Sequence, residues 1–386
     1  MAPKKASTAH RLVTDSLRRG TAADVLALGI AVALTLPCGA ADARAQGVPR
    51  SDVRVCAGGD VSLGTNLDTA WVRNKFDRGR PVRPLPNPRV LLAPVSPLVT
   101  PAAIVLLNIE GAIGEGPAPR KCARHATLCY ALRQPPASAP ALRHVNDSAA
   151  VVGNIANNHA HDAGDAGVAV TRRLLAKAGV LVTGADTLAT PVPAGNGDTV
   201  AVLGFSSWSA AQVDDTAAVH RLVAAAAARY GRVIVMMHAG AEGDTARHTP
   251  DSTEFFAGES RGNSVAFAHA AVAGGASLVI GSGPHVLRAL EWDGPALIAY
   301  SLGNLVTYGP FNHTRYTDDG AVLCATLAGD GSLRDAVLRS TRQRAPGYVR
   351  ADSTGRGARD IAELTAGDFP LTGAEVTAAG EITRRP

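Results

Sequence analysis

Five times along the chain a short apolar run stops at a cluster of polar side chains able to bind ligands. V-R-V-C-A-G-G-D ends at Asp60, I-V-L-L-N-I-E-G at Glu110, and V-V-G-N-I-A-N-N-H-A-H-D at Asn157, Asn158, His159, His161 and Asp162. V-I-V-M-M-H-A-G reaches His238, and L-V-I-G-S-G-P-H reaches His285. Short apolar runs bounded by turn residues are the mark of buried strands. In an open α/β sheet, ligands lie at the carboxyl ends of such strands.

The same pattern predicts the remaining elements. Strands are expected at 53–57, 104–108, 151–155, 180–182, 200–205, 233–237 and 278–280. Apolar positions at helical spacing predict a helix over 166–178, with Gly179 as its stop, and Ala-rich or apolar stretches predict helices over 216–229 and 264–273. Strands at 287–292, 296–300, 321–327 and 333–339 follow, separated by tight D-G and G-D-G turns that indicate antiparallel hairpins. An α/β half running into a meander of strands implies two packed sheets with helices outside. Three stretches lack such a pattern. Residues 72–102, rich in Arg and Pro, read as a surface excursion with little regular structure, and residues 114–140 as an insert that could wall a substrate site. Residues 345–386 read as a loosely packed tail.

Composition narrows the picture. At 386 residues, 46% hydrophobic and 18% charged, the chain is an ordinary globular protein. Its net charge of +5 is concentrated in residues 1–45, which hold six basic and three acidic residues and leave 32 against 30 in the remainder. That balance gives no electrostatic reason for a nucleic-acid partner. The first segment reads as a signal peptide: basic through Arg19, apolar from Val25 to Pro37, then G-A-A-D-A-R-A-Q with cleavage after Ala45. Its apolar run of 13 residues is short of the about 20 that span a bilayer, so an uncleaved anchor is the lesser alternative. Export to the periplasm or beyond would place Cys56, Cys122, Cys129 and Cys324 in an oxidising compartment. A local Cys122–Cys129 disulfide is expected there. Cys56 and Cys324 read as buried thiols, with a pair between them left open.

Asp60, Glu110, Asn157 or Asn158, His238 and His285 form a carboxylate, amide and imidazole set suited to manganese, iron or zinc. Such an ion would activate water for attack on a phosphoryl or acyl centre. His159 stands where it could protonate a leaving group, while His161 and Asp162 support the loop. Each residue also has a plainer role: a helix cap for Asp60, an ion pair for Glu110, turns for the asparagines, a core hydrogen bond for His238. Their shared placement at strand ends favours the joint site.

In order, G-D-V-S-L-G, N-I-E-G, A-N-N-H-A-H-D-A-G, M-H-A-G-A-E, G-S-G-P-H-V-L-R and I-A-Y-S-L-G-N-L-V resemble the CapA family of bacterial capsule (poly-γ-glutamate) synthesis proteins. The resemblance runs from about residue 53 to 338, within a domain taken as 46–344. It implies the calcineurin-like metallophosphatase fold, an α/β four-layer α-β-β-α sandwich. By the same resemblance Asp60, Glu110, Asn158, His238 and His285 are metal ligands, Asp60 and His159 are catalytic, and Glu242, Asn304 and His161 lie on the substrate side. Two imidazoles of the metallophosphatase pattern are replaced, by Ser62 and Gly283, so one or two divalent ions are expected. The function implied is metal-dependent hydrolysis of a phosphoester or amide/ester bond in an acidic envelope polymer, within a membrane-bound capsule synthesis complex. The alternative is a non-catalytic module that grips the polymer through a degenerate site.

Overall fold

The computed structural model describes residues 50–64, 85–117, 130–195, 197–309 and 311–385. The proposed leader with its cleavage point, Cys122, Cys129 and residues 72–84 lie outside the described residues.

Two large sheets face one another. In the first, the strands Ile104–Ile109, Ala150–Asn154 and Leu181–Thr183 run parallel to Val53–Leu63 on one side; on the other, Asp319–Leu327 is antiparallel to Val53–Leu63, and Leu333–Arg344 is antiparallel to Asp319–Leu327. In the second, Thr199–Ser206, Val233–His238, Leu278–Ser282 and Ala296–Ala299 are parallel neighbours, with Thr190–Pro193 and Leu290–Asp293 antiparallel at the edges.

Side chains alternate across a strand, so each sheet offers two faces. Val55, Ala57, Leu106 and Val152 of the first sheet pack with Val202, Ile234, Met236, Ile280 and Leu297 of the second in one buried core. Their neighbours point the other way. Cys56, Val105, Leu107 and Val151 pack under the helices Pro88–Leu92, Ser138–Arg143 and Gly164–Ala178. Ala201, Leu203, Val235 and Val279 pack under Thr216–Tyr230 and Ser264–Ala273. The result is the expected four-layer α-β-β-α sandwich.

Local signals set the helix ends. Gly179 takes a left-handed φ of 80° after Gly164–Ala178, which costs glycine little. Asn263 accepts from the N–H groups of Val265 and Ala266 and opens Ser264–Ala273, a cap worth about 1 kcal/mol. No helix of the described residues is long and apolar enough to cross a membrane.

Three expectations are corrected. The described part of the expected 345–386 tail, residues 345–385, is not loose: Arg356–Asp368 is a helix whose Ile361 enters the inter-sheet core with Ala374 and Ile382, and Tyr348–Ala351 and Glu381–Thr383 join the first sheet. Cys56 and Cys324 are not free thiols. They face each other in the register of Val53–Leu63 and Asp319–Leu327 and form a disulfide. Residues 85–102 are not irregular, since Pro88–Leu92 and Ser96–Val99 are short helices that bury Leu91, Leu92 and Val99.

Candidate metal centre where the sheets meet

The polar strand ends continue the inter-sheet core by one layer. On Ile104–Ile109 the inward positions 104 and 106 are followed at a period of two by Asn108, and then by Glu110. On Val233–His238 the series 234, 236 leads to His238, and on Leu278–Ser282 the series 278, 280 leads to Ser282. Register aligns them: Asp60 stands beside Asn108 and Asn108 beside Asn154, while His238 stands between Ser206 and Ser282. Parallel strands thus deliver all their carboxyl ends to one edge.

Gly59 makes Asp60 reachable. Val53–Leu63 pairs with Asp319–Leu327 up to Gly58, then switches to Asn304–Tyr308 from Asp60 onward. A Cβ at Gly59 would sit 1.9 Å from the Gly303 carbonyl oxygen, so only glycine allows that crossing.

Asp60, Glu110 and His238 are buried and offer ligand atoms that lie within 4.8 Å of one another, a group that could hold a metal ion. The His238 Nδ1 is 3.7 Å from Asp60 Oδ1 and 3.5 Å from Glu110 Oε2. Its Nε2 lies 3.0 Å from Asn158 Oδ1. An amide oxygen only accepts, so Nε2 carries the proton and Nδ1 keeps its lone pair toward the carboxylates. Burial holds the His238 imidazole down at about 3, in the neutral form a metal needs. Burial also pushes the Asp60 carboxyl up, but the hydrogen bond and charge of His285, with His238 and Asn108, outweigh it and leave Asp60 below its ordinary value. Burial and then the Asp60 charge push Glu110 well above the usual carboxylate range. Glu110 Oε1 is a buried oxygen with no hydrogen-bond partner among the described residues. A buried acceptor left unmatched is costly, and a cation would satisfy it. The donor set therefore fits a divalent ion.

The other expected residues divide. His285 is brought to the site, with Nδ1 3.0 Å from Asp60 Oδ2 and 2.9 Å from Asn304 Oδ1. Burial lowers its pKa, yet the hydrogen bond and charge of Asp60, with Glu242 and Glu110, raise it to about 10. Through Nδ1 it is the charge partner of Asp60. Its φ of 59° is a left-handed conformation in a residue other than glycine, of the kind that clusters at functional sites. Asn304 donates to the Thr317 carbonyl and so orients His285. Glu242 Oε2 is 3.9 Å from His285 Nε2. His159 Nδ1 lies 2.6 Å from Asp162 Oδ2, leaving Nε2 toward Glu110 Oε1 at 3.8 Å. His161 is not brought into this cluster. It lies exposed, 2.8 Å from Asp165.

Sequence reasoning missed Asn108 and Arg261. Asn108 donates at 2.7 Å both to Asp60 Oδ1 and to Glu110 Oε2, and its place two residues before Glu110 was the available signal. Arg261 is buried, donates to Glu242 Oε1 at 2.5 Å, and lies over the rings of Trp208 and Phe256. Nothing in the local sequence marks it.

A family model described as "Bacterial capsule synthesis protein PGA_cap" matches residues 54–308, a span that contains this whole cluster. Among solved structures, a chain titled "GAP50 the anchor in the inner membrane complex of Plasmodium" is similar at 8% identity and a TM-score of 0.37, covering 78% of this chain and 88% of that one. A search of curated proteins finds no match.

Proposed function

The chain belongs to the bacterial capsule synthesis protein family PGA_cap, and from that premise we propose that it is an exported, metal-dependent hydrolase of capsule-type envelope polymer. The bond cleaved is a phosphoester or an amide or ester, and the polymer is acidic, of the poly-γ-glutamate kind. The observation that carries the reading is the unmatched Glu110 Oε1, buried beside Asp60 and the lone pair of His238.

Asp60, Glu110 and His238 would hold the ion, with Asn158 beside them. Bound there, manganese, iron or zinc supplies Lewis acidity and lowers the pKa of a water. The remaining work falls to the chain itself. Asp162 accepts from His159 Nδ1 and holds that ring in one orientation, so Nε2 can pass a proton to a leaving group. Leu132 N–H donates to the same Asp162 oxygen at 2.6 Å and fixes the carboxylate in turn. His285 keeps Asp60 ionised, and Glu242 with Arg261 flanks the substrate side. The Cys56–Cys324 disulfide supports export, since such bonds persist in oxidising compartments.

A second reading, a polymer-binding module without turnover in a membrane-bound synthesis complex, draws support from Ser62 and Gly283, which stand where the metallophosphatase pattern carries imidazoles. Metal analysis of the purified full chain, followed by hydrolysis of bis-p-nitrophenyl phosphate and of poly-γ-glutamate with and without Asp60→Ala, decides between them. The hydrolase is expected to retain a divalent ion and to lose both ion and turnover in the variant. A protein that stays metal-free and inactive in added manganese, iron and zinc ends the hydrolase reading.

A further inference from the structure

Asn108 sits at the centre of the candidate ligand set. Its Nδ2 lies 2.7 Å from Asp60 Oδ1, 2.7 Å from Glu110 Oε2 and 3.3 Å from His238 Nδ1. An amide nitrogen carries two hydrogens, and both are spent on the carboxylates.

The orientation of this amide is not interchangeable. Asn108 Oδ1 accepts from Asn154 Nδ2 at 3.1 Å and from Asn157 Nδ2 at 3.4 Å. Those two side chains are oriented in turn by backbone. Asn154 Oδ1 accepts from the Ala156 N–H at 3.1 Å, and Asn157 Oδ1 from the His159 N–H at 3.0 Å. Asn157 Nδ2 also donates to the Ile109 carbonyl at 2.9 Å. A backbone N–H can only donate, so neither asparagine can turn over without leaving two donors facing each other. The chain of amides therefore points N–H2, and not oxygen, at Asp60 and Glu110. Exchanging Asn108 end for end to make it a metal ligand would break four hydrogen bonds in a fully buried layer.

We propose that Asn108 takes the place of a second cation between Asp60 and Glu110 and limits this centre to one divalent ion. The inference rests on the metal-centre reading above. Paired-ion sites hold their metals about 3.5–4 Å apart and need oxygens shared between them. Here the Asn108 N–H2 fills the space between Asp60 Oδ1 and Glu110 Oε2 that an ion shared by those two oxygens would take, and Asp60 Oδ2 accepts from His285 Nδ1 and the Gly283 N–H. A carboxylate oxygen that accepts one hydrogen bond keeps a second lone pair, and Glu110 Oε1 has no hydrogen-bond partner among the described residues, so one ion can still be held by Asp60, Glu110 and His238. The amide performs part of a cation's task by placing two N–H dipoles between two buried carboxylates. It does so without the charge that would polarise a substrate.

The test counts ions in the full chain. Wild type, Asn108→Asp and Asn108→Ser are loaded with manganese, dialysed, and measured by elemental analysis and by electron paramagnetic resonance. Wild type is expected to hold one manganese per chain with the spectrum of an isolated ion. Asn108→Asp, which turns the N–H2 into a ligand oxygen, is expected to hold two with a spin-coupled spectrum. Asn108→Ser opens the same space without adding charge, so it tests the idea even if three carboxylates prevent the aspartate variant from folding. Two ions in the wild type, or a single ion in every variant that folds, overturns the proposal while leaving the metal centre standing. Wild type without metal and variants with it overturns the one-ion limit. No ion in any of the three overturns the metal-centre reading and this proposal together.

Discussion

Breaking the Cys56–Cys324 bond should cost this protein a large share of its stability. The two cysteines are 268 residues apart in sequence, so the bond closes a loop spanning most of the fold. The chain-entropy relation for a loop of that length gives a ceiling of about 5 to 6 kcal/mol at 25 °C. Residual structure in the unfolded chain reduces this, and about 3 to 5 kcal/mol is the expected loss. Set against a typical total of about 5 to 15 kcal/mol, a loss of that size brings the protein near its unfolding threshold. The assay is urea unfolding of the oxidised chain against the same chain reduced and held in dithiothreitol. Reduction keeps both sulfur atoms in place, so the difference reports the cross-link and not a cavity. The midpoint should fall and the slope should rise, because an unconstrained unfolded chain exposes more surface. Cys56→Ala with Cys324→Ala should lose about 1 to 2 kcal/mol more, since both sulfurs are fully buried and their removal leaves voids. Alkylation and peptide mapping that finds Cys56 and Cys324 reactive in the oxidised chain would refute the bond. Oxidised and reduced forms unfolding within about 1 kcal/mol of one another would refute the entropic reasoning.

Arg288→Ala should destabilise by about 3 to 5 kcal/mol in the same urea assay, because the buried guanidinium is held by both oxygens of Glu254 and by the Ala246 carbonyl; a loss under about 1 kcal/mol would show that the pair is dispensable. Gly59→Ala should abolish metal retention and lower the melting temperature by several degrees, since its Cβ would meet the Gly303 oxygen; an unchanged melt would remove the crossing argument. His269 bonds Glu291, which also accepts from Tyr300 and Thr372, and that bond raises the His269 pKa while Glu291 lies below its ordinary value. The His269 contribution is complete below about pH 6.5 and is lost as pH rises through its raised folded value, whereas that of Glu291 is present above about pH 4.5 and is lost on acidification. His269→Ala should therefore cost most between about pH 4.5 and 6.5, by under about 1 kcal/mol for a half-exposed imidazole, and least at pH 9. A cost that grows toward pH 9 would contradict that sign.

Much of the site was legible because its signals are local. Short continuous apolar runs mark Ile104–Ile109, Val233–His238 and Leu278–Ser282 as strands buried on both faces, and each run stops at a polar cluster at or just beyond its carboxyl end. That is why Asp60, Glu110, His238 and His285 could be named together before any contact was known. The helix Arg356–Asp368 was legible in principle too. Gly357, Ile361 and Leu364 follow helical spacing and are all buried, but apolar residues so sparse do not stand out from a polar tail.

What the sequence determined by itself is therefore a list of strands, helices and strand-end side chains, since each depends only on residues a few positions apart. Which strand lies beside which was decided by tertiary structure: Cys56 meets Cys324 only because Val53–Leu63 pairs with Asp319–Leu327. The same holds for charge. His285 reads as a lone strand-end imidazole in isolation, and its pairing with Asp60 arises only because folding sets them 3.0 Å apart in a buried layer. Asn108 looked like one more strand residue, and its amide was aimed by Asn154 and Asn157 from the neighbouring strand and the loop after it. Pairing energies of this kind reside in distances between remote residues, and a linear pattern holds no record of those distances.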